Sequence, residues 1–125
     1  MDKLQKEVKD FIKARKWDEN HLYDVLLNIH EEVDEVWNIV KHLGKDKDKQ
    51  MLKKVIRQSK EDIDDSIGDL LYLILKLAVM VNIDAEKAVR NRLKEFEKRF
   101  PVKKLRGFHG NLRAGGIDYK YQNKK

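Results

Sequence analysis

The chain has 125 residues, of which 40% are charged and 41% apolar, with no Cys, one Pro and a formal net charge of +6. That length predicts one domain with a modest core, the apolar share excludes a disordered chain, and the absence of Cys excludes disulfides and thiolate metal sites. The charge is unevenly placed: after Pro101 seven Lys and Arg face a lone Asp118, so residues 1–100 are formally neutral and read as a helical domain, and residues 101–125 as a basic tail.

Only Gly44 and Gly68 interrupt the composition before Pro101, so almost nothing breaks helix over that stretch. A first helix, roughly residues 2–15, is marked by Leu4, Val8, Phe11 and Ile12 at i, i+4, i+7 and i+8. Asp18 or Asn20 is expected to cap a second helix. Its stripe is Leu22, Val25, Leu26, Ile29, Val33, Val36, Val40 and Leu43, and Gly44 stops it. A charged connector follows, and Met51 to Ile56 read as a short helix or a lead-in.

Ser59 with Asp62 three residues later resembles a capping box that opens a third helix, ending near Val81. From Leu70 to Ile83 this helix is apolar except at Lys76 and Asn82. It is too short, and too polar at its start, to span a bilayer, so it reads as a central helix buried on most sides. Asp84 is the expected cap of a fourth helix, with Glu86 in its first turn and Lys98 and Arg99 in its last. The fold class predicted is all-α, a four-helix bundle with a basic irregular C-terminal tail. No apolar N-terminal segment follows a basic stretch, so a cytoplasmic location is expected, without membrane attachment.

The acids are placed with more order than surface charge requires. At 100° per residue, Glu32 and Glu35 share one flank of the second helix's stripe, while Asp34 faces away and Glu31 sits further round. On the third helix Asp62, Ser66 and Asp69 run along the edge of the Ile63, Ile67, Leu70 and Ile74 stripe, with Asp65 just outside it. If these helices pack antiparallel, their acidic borders meet. Converging carboxylates repel and cost stability unless a cation sits among them, and oxygen-only donors suit Mg²⁺, completed by water and substrate phosphates. The alternative is that these acids are solvated faces and partners of the helix dipole.

A di-iron site normally needs Glu-x-x-His on two helices, and none is present. His21, His30, His42 and His109 read as surface or structural residues. There is no Gly-rich phosphate loop, no evident Ser/His/Asp arrangement and no zinc spacing. Trp17, Trp37 and Tyr72 read as core, with stacking on a base as the alternative.

With these residues in view, the sequence resembles the MazG-like nucleotide pyrophosphohydrolases, all-α enzymes related to dimeric dUTPases. The resemblance covers roughly residues 4–101. "EEVDEV" is similar to the family's Glu-Glu-x-x-Glu block. "IGDLLYLILKLAVMVNIDAEKAV" resembles its second metal helix with the hydrophobic helix and turn that follow, and "EFEKRFP" its basic closing segment. The resemblance implies hydrolysis of a nucleoside triphosphate, often a non-standard one, to the monophosphate and pyrophosphate. It further implies Mg²⁺, with Mn²⁺ as an alternative, held by Glu32, Glu35 and Asp69, and Glu31 as an outer carboxylate acting on the attacking water. A homodimer or homotetramer is implied too.

Ser66 departs from the family, which has Glu there; Asp62 or Asp65 is the expected replacement ligand. On the fourth helix Asn91 and Leu93 stand where the family often has Lys and Asn, which leaves Arg90, Lys94 and Arg99 as candidate phosphate contacts. Two other readings stay open. One is a catalytically impaired relative that binds nucleotides. The other is a nucleic-acid-binding protein using the basic tail, whose affinity would fall steeply with salt.

Overall fold

A computed structural model describes residues 2–41 and 49–105. Among the described residues there are six α-helices and no strand: α1 (Asp2–Ala14), α2 (Leu22–Val40), α3 (Lys49–Gln58), α4 (Lys60–Met80), α5 (Ala85–Arg99) and α6 (Val102–Leu105), with a 3-10 turn at Trp17–Glu19. The chain is all-α, as its periodicity predicts. It divides into two compact units, residues 1–84 and 85–125.

In the first unit α4 is the axis, and α1, α2, α3 and the 3-10 turn all pack against it. One side chain from each of three helices is fully buried: Ile12 of α1, Val25 of α2 and Leu75 of α4. The C-terminal half of α4 is enclosed most completely, with Leu73, Leu75, Lys76 and Ala78 all buried. The expectation of a central buried helix is met there.

The stripes of α2 and α4 divide differently from the single core faces the sequence suggests. On α2, Val25 is buried and Ile29, Val36 and Ile39 are half-buried, but Leu22, Leu26, Val33 and Trp37 are exposed. At 100° per residue these two sets occupy adjacent sides of the helix, so the stripe is wider than the one face α4 covers. On α4, Ile67, Leu71 and Ile74 are likewise exposed, and the buried line passes instead through Ser66, Leu73 and Lys76. Trp17 and Trp37 are not core residues: Trp37 keeps 58% of its surface.

Helix ends follow local chemistry. Lys16 takes φ 57°, which ends α1, with Lys16 N–H donating to Lys13 O at 3.1 Å. The cap of α2 is His21, not Asp18 or Asn20; its Nδ1 accepts from Tyr23 N at 3.1 Å, a role a short imidazole reach allows at that position. The expected capping box at Ser59 does not form. Ser59 N–H continues α3 by donating to Val55 O at 3.0 Å, and its carbonyl accepts from Ile63 N at 2.9 Å, so the backbone itself links α3 to α4 and no side-chain cap is made. α4 ends one residue before the expected Val81, in a Schellman turn: Ile83 N donates to Ala78 O at 2.9 Å, Asn82 N to Val79 O at 3.2 Å, and Asn82 sits at φ 58°. Gln5 Nε2 of α1 donates to the Ile83 carbonyl at 2.7 Å and ties the first helix to this turn.

In the second unit α5 is amphipathic, with Val89, Leu93 and Phe96 exposed and the Arg92 guanidinium 4.8 Å from the Phe96 ring centroid. Pro101 ends it, and the tail expected to be irregular begins as the one-turn helix α6. The rest of the tail, His109 included, lies outside the described residues, as do His42, Leu43, Gly44 and most of the charged connector. Among the described residues no single helix is long and apolar enough to cross a membrane.

Candidate metal and phosphate site

Four carboxylates and a serine meet where α2 crosses α4. A cleft of about 400 Å³ is lined by Glu35 and Ile39 from α2 and by Asp62, Asp65, Ser66 and Asp69 from α4. Glu32, two turns before Ile39 on α2, feels Asp69, while Glu35 and Ile39 border the cleft with the earlier α4 residues. Ascending α2 thus meets descending α4, which is antiparallel packing. That is the arrangement under which the two acidic borders converge.

Electrostatics at Glu32 record the crowding. Partial burial pushes its carboxyl up from the usual 4.5, and the charges of Glu35 and Asp69, a hydrogen bond with Glu35 and, least, the charge of Glu31 push it in the same direction. Its Oε2 is buried without any hydrogen-bond partner. A buried carboxylate oxygen left unpaired costs free energy that a hard cation or a donor hydrogen would offset.

These donors fit Mg²⁺ or Mn²⁺ in kind and in charge, being oxygen only. They are not a finished cage: among the described residues no three carboxylates or imidazoles already converge on one point. Asp62, Asp65 and Asp69 are exposed, whereas Ser66 is buried at 5% exposure. Ser66 therefore sits at the floor of the cleft, where a longer Glu would have to displace its surroundings, and Asp62 and Asp65 flank it from the rim. Gly68 on the same helix has open space at its Cβ position, so no close approach there demands glycine.

The candidate phosphate contacts lie on α5 in the second unit. Arg90 pairs with Glu86 at 3.5 Å, and the Arg99 guanidinium lies 5.2 Å from the Phe100 ring centroid. Arg90 and Lys94 are one turn apart, but Arg99 is half a turn round the helix from Arg90, so the three do not share a face.

Sequence reasoning did not anticipate the state of two groups further along α4. Tyr72 has a buried hydroxyl with no hydrogen-bond partner. Lys76 is buried, and its Nζ lies 5.6 Å from the Trp17 ring centroid; desolvation pulls its ammonium below the usual 10.5. The visible signal was a lysine interrupting an otherwise apolar run. Comparison of the chain with protein-family models, with curated proteins and with solved structures returned no match.

Proposed function

We propose that the chain is a Mg²⁺-dependent nucleoside triphosphate pyrophosphohydrolase of the MazG-like kind, with Mn²⁺ as a substitute ion. The observation that carries this reading is the unpartnered, buried Oε2 of Glu32, set among Glu35, Asp69 and Glu31 beside an acidic cleft. Glu32, Glu35 and Asp69 would hold the ion, with Asp62 and Asp65 on the rim in place of the carboxylate that Ser66 lacks. The bound ion supplies charge neutralisation for the phosphates and acidifies water. Glu31 would take the proton as water oxygen bonds to the α-phosphorus. The bond from that phosphorus to the bridging oxygen breaks, and its electron pair leaves with pyrophosphate.

The apolar sides left exposed on α2 and α4 support assembly as a homodimer or homotetramer, since they lie beside the cleft on the same two helices. The test is pyrophosphate release from a panel of standard and modified nucleoside triphosphates, with Mg²⁺, with chelator, and with Glu35→Gln. Metal-dependent release abolished by that substitution supports the enzyme. A folded protein that is silent across the panel sinks it, and leaves nucleotide binding without turnover, the reading Ser66 favours.

A further inference from the structure

The acids occupy the first half of α4, and the other end of that helix carries a second recess. Between α1 and the turn that closes α4 lies a cleft of about 410 Å³. Its floor is apolar, made by Ala78, Val79 and Ile83, and Lys6 and Lys9 stand on its α1 side. Gln5 in the same wall donates to the Ile83 carbonyl at 2.7 Å, so the two walls are fixed to each other before any ligand arrives. Val79 is ten residues beyond Asp69 on the helix, a rise of about 15 Å, which sets this recess apart from the carboxylates.

The charges around the recess are unevenly answered. Asp2 and Asp84 line it as well, and each is engaged with another group. Lys6 and Lys9 are exposed and, among the described residues, have no hydrogen bond or ion pair. They are three residues apart and therefore neighbours on one side of α1, so both ammoniums reach a single ligand. A phosphate, or a pair of carboxylates, accepts a charge-assisted hydrogen bond from each. The lining holds no aromatic ring, so the recess does not favour a flat, conjugated ligand. What its floor covers is a short aliphatic chain.

We propose that this cleft binds a small dianion on a short aliphatic body, a phosphate ester or a dicarboxylate, held by Lys6 and Lys9 and seated on Ala78, Val79 and Ile83. The ligand joins α1 to the end of α4 in parallel with the Gln5 hydrogen bond, and so stabilises the first unit by mass action. The site stands whether or not the acidic cleft hydrolyses nucleotides.

The experiment is a backbone amide NMR titration of the full chain, in metal-free buffer at constant ionic strength, with glycerol 3-phosphate, with succinate and, as the uncharged control, with glycerol. Shifts are expected at Val79, Asn82 and Ile83 and not at Asp65 or Asp69, with a Kd on the order of 1 mM or below for at least one dianion. Glycerol is expected to cause none. Lys6→Gln combined with Lys9→Gln is expected to weaken binding at least about tenfold, the scale of lost charge-assisted bonds. Lys53→Gln combined with Lys54→Gln removes the same charge from α3, outside the recess, and is expected to leave binding within about twofold. A response to the phosphate ester alone, or to succinate alone, supports the site and names its source of charge. No shift with either dianion up to about 20 mM, shifts centred on Asp65 and Asp69, or equal weakening by the two lysine pairs overturns the proposal.

Discussion

Glu32 of α2 and Asp69 of α4 carry like charge across the seam between antiparallel helices, and the Asp69 carboxylate helps raise the Glu32 carboxyl above its usual 4.5. The seam is therefore held together by the apolar side chains beneath it and is loosened by the acids above. Substitutions that relieve the repulsion stabilise the fold. Those same substitutions remove the donors that the proposed cation would need.

Glu32→Gln separates the two effects. A carboxyl raised in the folded state contributes stability below about pH 4.5 and loses that contribution as pH rises through the raised value. In chelator, then, Glu32→Gln is expected to melt higher than the wild type at neutral pH, the gap closing toward acid pH. With Mg²⁺ present the wild type is expected to gain melting temperature and the variant to gain less. Thermal melts across pH, with and without Mg²⁺, give all four curves. A variant that melts lower than the wild type in chelator at pH 7 would contradict the seam as described.

Ser66→Glu restores the carboxylate that the resembled family carries, but at a position that is 5% exposed and in a cleft with four acids. Without metal it is expected to destabilise the unit by about 2 kcal/mol, the scale for an inadequately paired buried polar group. Addition of Mg²⁺ should recover most of that loss, read as a larger metal-induced shift in the denaturation midpoint than the wild type shows. No recovery would mean that Ser66 does not face the ion.

Lys76→Met replaces a buried ammonium that, among the described residues, has the Trp17 ring for company. Because the folded state pulls this ammonium below 10.5, deprotonation favours folding, so wild-type stability should rise as pH climbs through that depressed value toward 10.5. Lys76→Met lacks this dependence and is expected to be more stable than the wild type by about 1 kcal/mol at neutral pH. Urea midpoints at neutral and alkaline pH measure both. A loss of stability would show that the ring contact outweighs desolvation.

Asn82→Gly and Asn82→Ala test the turn that closes α4. At φ 58° glycine is unstrained while alanine meets the Cβ penalty of the left-handed region. The alanine variant is expected to lose about 1 kcal/mol and the glycine variant to stay within about 0.5 kcal/mol of the wild type. Equal losses from both would point to the Asn82 side chain instead of its backbone.

Ile67→Glu addresses assembly. Ile67 is 53% exposed on the uncovered side of α4, so a carboxylate there costs the monomer little. If that side is the contact between copies, the variant is expected to sediment at half or less of the wild-type mass. A wild type that is itself monomeric would leave the exposed apolar residues without this role.

Helix existence was legible because the apolar spacing is regular and Gly and Pro are scarce. α4's enclosure could be read from the run after Leu70, and the meeting of Glu35 with Asp62 and Asp69 from their angles on two helices. Which side of a wide stripe becomes core was not legible: Val25 and Val33 look alike in sequence, and only the placement of α4 buries the first and leaves the second 50% exposed. His21 was missed as a cap because Asp18 and Asn20 are the better intrinsic cappers, and the 3-10 turn consumes them. Tyr72 was seen as a ring, but the state of its hydroxyl depends on α1, which the spacing of α4 does not encode.

The hydrogen bond from Gln5 to the Ile83 carbonyl joins residues 78 positions apart. It makes the first unit a closed loop, and closing a long loop sets the pace of folding because its entropy must be lost before its contacts form. On a ribosome the order of events is fixed accordingly. α1 is synthesised before α4, and its packing surface and the acceptor for Gln5 do not exist until the chain has been made through residue 83. Until then the apolar side of α1, Val8 and Ile12 included, has no α4 to cover it and is open to a chaperone.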